Sequence, residues 1–104
     1  MNIMLACSAG MSTSLVVSKM QEAAKQQGKT DYKIWAVDQT QIEDELGNFD
    51  VLLLGPQVRH IMRKVTKIVD GKAPIEVIDA VAYGTCNGEA VLKQAEALKE
   101  RGGK

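Results

Sequence analysis

The chain is short of cysteine, histidine, long apolar runs and charge imbalance, and each shortage removes a class of protein. Only Cys7 and Cys86 occur among 104 residues, too few for a fold built on disulfides. They stand far apart in sequence, so no metal-ligand spacing arises, and neither a metal nor another cofactor is expected. Lys plus Arg and Asp plus Glu each number 13, so no overall field draws the protein to nucleic acid or to an anionic membrane. Any anion it binds must be held locally. No apolar stretch approaches the ~20 residues that a bilayer span requires. The start, Met1-Asn2-Ile3-Met4-Leu5-Ala6-Cys7, lacks a basic segment and carries only a short apolar run. It reads as a first strand, not as a signal peptide. A soluble protein of a reducing cytoplasm is expected, with Cys7 kept as a thiol.

What is present suits one globular domain, residues 1–104. Hydrophobic residues make up 45% and charged residues 25%, enough apolar surface for a core without staples. Four short apolar runs, Ile3 to Ala6, Tyr32 to Val37, Val51 to Leu54 and Ile75 to Ile78, are bounded by breakers such as Gly55-Pro56 and Pro74. Such runs suit strands buried on both faces of a parallel sheet. Between them lie segments with helical spacing: Val16, Met20, Ala23, Ala24 and Gln27, stopped by Gly28; then Ile61, Met62, Val65, Ile68 and Val69; then Ala90, Val91, Ala95 and Leu98, with Asn87 as N-cap. Gln41 to Leu46 reads as a short, acidic, solvated helical turn. Alternation of strand and helix implies right-handed crossovers and a parallel sheet covered by helices. Ligands then sit outside the carboxyl ends of the strands at a topological switch point, and the loop after the first strand is the natural place.

Cys7 closes that strand, and residues 8 to 14 are small or hydroxylated apart from Met11. Backbone N–H groups of such a loop can wrap a tetrahedral anion. Gly10 tolerates positive φ, the hydroxyls of Ser8, Ser12, Thr13 and Ser14 add donors, and a helix from Leu15 onward would aim its positive dipole end at the same spot. Cysteines at helix amino ends are biased toward the reactive thiolate, and a thiolate facing an anion cradle is arranged for in-line attack on phosphorus. The plain alternative is an inert strand cysteine beside a serine-rich turn. A phosphotyrosine-phosphatase loop also begins with Cys but places Arg six residues later; here that position is Thr13, followed by Ser14. No Lys or Arg lies between Cys7 and Lys19, so the fork that clamps a transferring phosphoryl group is absent. A carrier fits this loop better than a phosphatase does.

Cys7-Ser8-Ala9-Gly10-Met11-Ser12-Thr13-Ser14-Leu15 resembles the phosphorylation loop of the IIB subunit of the lactose/cellobiose/chitobiose class of the sugar phosphotransferase system, on its cellobiose and chitobiose branch. Val51-Leu52-Leu53-Leu54-Gly55-Pro56-Gln57-Val58, Glu76-Val77-Ile78-Asp79 and Tyr83-Gly84 extend the resemblance over essentially the whole chain. It implies a type-3 (lactose/cellobiose-like) IIB domain and an α/β fold. The expected fold has three layers: an open four-stranded parallel sheet of order 2-1-3-4, with helices on both faces, similar to the low-molecular-weight phosphotyrosine phosphatases. It also implies that Cys7 takes phosphate from a phosphohistidine on the IIA subunit, with Ser8, Ala9, Gly10, Met11, Ser12, Thr13 and Ser14 binding the phosphate. The group then passes to a β-linked disaccharide carried by the membrane subunit IIC. Such a subunit works in the cytoplasm, transiently at the inner face of the membrane, without inserting, and is expected to be monomeric alone. The competing enzyme reading is a low-molecular-weight phosphatase or an arsenate reductase; a third is a regulatory domain that senses phosphorylation at Cys7.

Other residues invite weighing. His60 is the one histidine, and its place at the start of a helix suits a surface position near a docking face. Asp79, closing the fourth strand, is either an accessory acid near Cys7 or a cap of the following turn. Tyr83 either packs beside the loop or donates a hydrogen bond to it. Cys86 is a small buried or loop thiol, the resolving-cysteine alternative needing the arginine that the loop lacks. Arg59, Arg63 and Lys64 form a basic cluster, a solvated helix face or a surface for an acidic partner.

Overall fold

The computed structural model describes residues 1–7 and 11–102. Four strands, β1 (Asn2–Cys7), β2 (Lys33–Asp38), β3 (Val51–Leu54) and β4 (Ile75–Val77), form one sheet of order β2-β1-β3-β4. Every strand pair is parallel. Helix α1 (Met11–Gln26) joins β1 to β2, α2 (Met62–Val69) joins β3 to β4, and α3 (Ala80–Gly84) and α4 (Gly88–Gly102) follow β4. The expected strand order and parallel pairing hold.

Alternation along β1 divides the core, because successive strand side chains point to opposite faces. Ile3 and Leu5, with Val51, Leu53 and Ile34, pack against Val16 and Met20 of α1 and Val91, Leu92 and Ala95 of α4. Met4 and Ala6, with Leu52 and Leu54, pack against Val65 and Val69 of α2 and against Ile42, Phe49 and Val58. Residues of β1 and β3 from Ile3 to Cys7 and from Val51 to Leu54 expose none of their surface. Full burial of one such Leu or Ile stabilises the fold by about 1.5–3 kcal/mol, which explains why both faces of a strand can read as one apolar run.

The structure moves several boundaries. Helix α1 begins at Met11, not Leu15: Ser and Thr are unfavourable in helix interiors but suit helix starts. The second helical segment starts with 3₁₀ turns over Pro56–Ile61 before α2. The acidic stretch forms two 3₁₀ turns, Gln39–Gln41 and Glu43–Glu45. It is more than a solvated face, because Ile42 between them is fully buried. Asp38 starts it with a capping box, its Oδ1 accepting the Thr40 N–H at 3.0 Å while the Asp38 N–H donates to Gln41 Oε1 at 3.2 Å. Helix α3 was not foreseen, its five residues being too few for a periodic signal.

At the amino ends of the strands the structure is tied down. Past α1, Lys29 N–H donates to Ala24 O at 2.8 Å and Gly28 N–H to Lys25 O at 3.1 Å, with Gly28 at φ +76°. This is the Schellman stop that only a residue at ease with positive φ permits. Lys29 and Tyr32 then both reach Glu96 of α4: the ammonium pairs with its carboxylate, and the Tyr32 hydroxyl donates to the same oxygen at 2.9 Å.

Candidate functional site

Cys7 is the last residue of β1 and fully buried. It lies in register with Asp38 of β2, while on the other side Gly55 N–H donates to Ala6 O at 2.9 Å. From β1 the chain goes outward to β2, then crosses to β3 and β4. The reversal falls between β1 and β3, the switch point at which open α/β sheets bind ligands.

Helix α1 starts at Met11, so its first-turn amides and positive dipole end follow Cys7 closely in sequence. That first turn contains no acidic residue to occupy the amides in place of an anion. Of the cradle read from the sequence, Ser8, Ala9 and Gly10 lie outside the described residues. Met11, Ser12, Thr13 and Ser14 are helix, not loop, and Ser14 is exposed. A helix start presents main-chain N–H groups in the array found at anion sites of helix amino ends. Lys19, the first cation after Cys7, is an exposed residue two turns along α1.

The accessory residues fall into structural roles. Asp79 caps α3, its Oδ2 accepting the Ala82 N–H at 2.9 Å, while its own N–H donates to Gln94 Oε1 at 2.9 Å. It follows β4, two strands from β1, a separation of about 10 Å across the sheet. Tyr83 is half-buried and packs against the cluster beneath α1 and α4. Cys86 is half-buried in the turn between α3 and α4, at φ +52°. His60, Arg63 and Lys64 are exposed; the Arg59 side chain lies outside the described residues. Among the described residues no group of His, Cys, Asp and Glu could hold a metal.

Two features escaped the sequence reading. Leu15 on α1 is 53% exposed and Val81 on α3 is 73% exposed. Both helices start at the carboxyl edge of the sheet, so these apolar side chains flank the Cys7 end. The helical spacing of Val16, Met20 and Ala23 signals that Leu15 lies off the buried stripe; nothing comparable marks Val81.

An α/β sheet of this order is the fold shared with solved IIB components of sugar phosphotransferase systems. The family described as "PTS system, Lactose/Cellobiose specific IIB subunit" matches residues 2–94, and the chain belongs to that family. It is 41% identical over 97 residues to the oligo-beta-mannoside-specific EIIB component of Bacillus subtilis (strain 168), covering 92% of this chain and 93% of the relative. It is 47% identical over 102 residues to the galactose-specific EIIB component of Lactococcus lactis subsp. cremoris (strain MG1363), covering 92% and 94%. Among solved structures, the solution structure of the cellobiose-specific IIB component from Borrelia burgdorferi superposes with a TM-score of 0.79 at 39% identity, covering 97% of this chain and 93% of that one. The lactose-specific IIB domain from Streptococcus pneumoniae superposes with a TM-score of 0.83, covering 94% and 96%. At 15% identity that likeness speaks for the fold alone.

Proposed function

We propose that residues 1–104 form one IIB domain that carries a phosphoryl group on Cys7 between a phosphohistidine of IIA and a sugar held by IIC. One observation carries the reading: the cysteine ends the central strand β1 at the switch point, with the amino end of α1 next in the chain. Acceptance forms an S–P bond as the donor's N–P bond breaks, and the imidazole keeps the electron pair and takes a proton. Release forms an O–P bond to a sugar hydroxyl as the S–P bond breaks; the sulfur keeps the electron pair, and the hydroxyl proton restores the thiol. Main-chain amides of α1 and the residues before it would hold the dianion.

The relatives named for oligo-beta-mannoside and cellobiose support a β-linked disaccharide as the acceptor, while the one named for galactose widens the range to a monosaccharide. No described helix is long and apolar enough to cross a membrane, which suits a cytoplasmic carrier visiting the inner face of the bilayer. Leu15 and Val81 would take part in meeting IIA or IIC. The test is incubation with phosphoenolpyruvate, the general phosphotransferase proteins and IIA, followed by intact mass. One phosphoryl group is gained by the native chain and none by Cys7→Ser.

A further inference from the structure

Gly88 opens α4 and is buried. Its backbone is not left-handed, unlike that of Gly28, Gly47 and Gly71, so conformation does not demand glycine there. Space does. A Cβ at residue 88 would stand 2.3 Å from the Lys19 carbonyl carbon and 2.5 Å from Met20 N, both main-chain atoms that no side-chain rotation can move aside. The first turn of α4 therefore rests directly on the peptide joining residues 19 and 20 of α1. Asn87 holds that turn in place, its Oδ1 accepting the Ala90 N–H at 3.1 Å and its own N–H donating to Ala82 O at 2.8 Å.

From this close approach, and resting on the carrier reading above, we infer that Gly88 is a positioning residue for phosphoryl transfer: it sets the distance of α4 from α1 and thereby the aim of α1's first-turn amides at Cys7. The contact lies about 12 Å along the helix from Met11, at 1.5 Å per residue. The far end of α1 is fixed by the Schellman stop at Gly28. A push at residues 19 and 20 against that fixed end swings the amino end through about twice the displacement, by the ratio of helix lengths on the two sides. Misplacement of a reacting site by about 1 Å is enough to lower turnover as much as a hundredfold.

Propensity and geometry make opposite forecasts for Gly88→Ala. Alanine is the better helix former, so by propensity alone the variant gains stability and loses nothing. By the close approach it melts lower, and its maximal rate of phosphate acceptance falls about tenfold while the IIA concentration at half-maximal rate is unchanged. Val69→Ala, in the core on the opposite face, serves as the matched destabilised control and keeps the native rate. Should Gly88→Ala fold poorly, Asn87→Ala loosens the same turn without adding volume and shows a smaller loss of rate with the same unchanged half-maximal IIA. A Gly88→Ala protein as stable and as fast as the native one overturns the inference, as does an Asn87→Ala protein of native rate. Failure of the carrier reading is distinguishable, because the native chain would then take no phosphate at all. The amide NMR shifts of residues 11–14 still decide the matter in that case: they move in Gly88→Ala and stay put in Val69→Ala, and unmoved shifts in both overturn it.

Discussion

The two ends of the sheet are built to opposite ends. At the amino edge the chain satisfies itself: the Schellman stop closes α1, Asn2 N–H donates to Asp50 Oδ2 at 2.7 Å, and Glu96 gathers Lys29 and Tyr32 onto one oxygen. Lys29 also lies 5.5 Å from the centre of the Tyr32 ring, within the range of a cation–π attraction. At the carboxyl edge the first turn of α1 carries no acid, and Leu15 and Val81 show apolar surface to solvent. The amino edge ties its polar groups to one another, while the proposed carrier role assigns the α1 amides of the other edge to an anion and its exposed apolar pair to a partner. Mutations at the two ends should therefore separate stability from transfer.

The sharpest separation is at Cys7. Cys7→Ser should lower phosphate acceptance by at least about 1,000-fold, since the hydroxyl is a far weaker nucleophile at neutral pH, while the melting temperature shifts by only a few degrees; transfer kinetics and thermal melts check both. Next comes the apolar pair: Leu15→Ser with Val81→Ser should raise the half-maximal IIA concentration about tenfold and change stability by less than about 0.5 kcal/mol, as exposed positions do. Glu96→Ala should do the reverse. It removes the acceptor shared by Lys29 and Tyr32, costing about 1–2 kcal/mol, or roughly 4–8 °C per kcal/mol in a domain of this size, with phosphate acceptance unchanged. A melting temperature unmoved by Glu96→Ala, or a transfer rate that falls with it, would break the contrast.

The smallest effect is in the pH dependence of the amino-edge lock. Burial works to raise the Glu96 carboxyl, but hydrogen bonds from Lys29 and Tyr32 and the charges of Lys29 and Lys93 outweigh it and hold the group below its ordinary value. A depressed folded-state value contributes stability that is present above the unfolded-state value and is lost as pH falls through the folded one. Burial first, then the bond to Glu96, pushes the Tyr32 hydroxyl up to about 12. That contribution is complete below the ordinary tyrosine value of 10.0 and is lost as pH rises toward about 12. Urea melts across acidic pH should show a native acid limb that is shallower in Glu96→Ala, and melts at high pH a loss that Tyr32→Phe lacks.

Legibility from the residues follows the same division. The sheet is written plainly, because Val51-Leu52-Leu53-Leu54 and Ile3-Met4-Leu5-Ala6 are continuous apolar runs closed by breakers, and Cys7 could be placed at the end of one of them. The caps at Asn87 and Gly28 were legible from single residues with known backbone preferences. Ile42 was hidden because its neighbours Glu43, Asp44 and Glu45 dominate a composition-based reading, although a lone apolar residue in an acidic turn is itself a sign of a plug. Helix α3 was hidden because Ala80–Gly84 is shorter than two turns, leaving Asp79 as its one signal. The Lys29–Tyr32–Glu96 lock spans 64 residues from Tyr32 to Glu96, and no local pattern reveals such a pairing. The tight fit at Gly88 is invisible for the same reason: it is a property of two helices, not of one.

The central claim is that the phosphoryl group rides on the sulfur at the end of β1. Peptide mapping of the native chain after phosphorylation by IIA tests it most directly. The account predicts the added phosphoryl mass on the peptide bearing Cys7, labile as a thiophosphate and absent from Cys7→Ser. A phosphoryl group on the peptide bearing His60, or full labelling of Cys7→Ser, would contradict it.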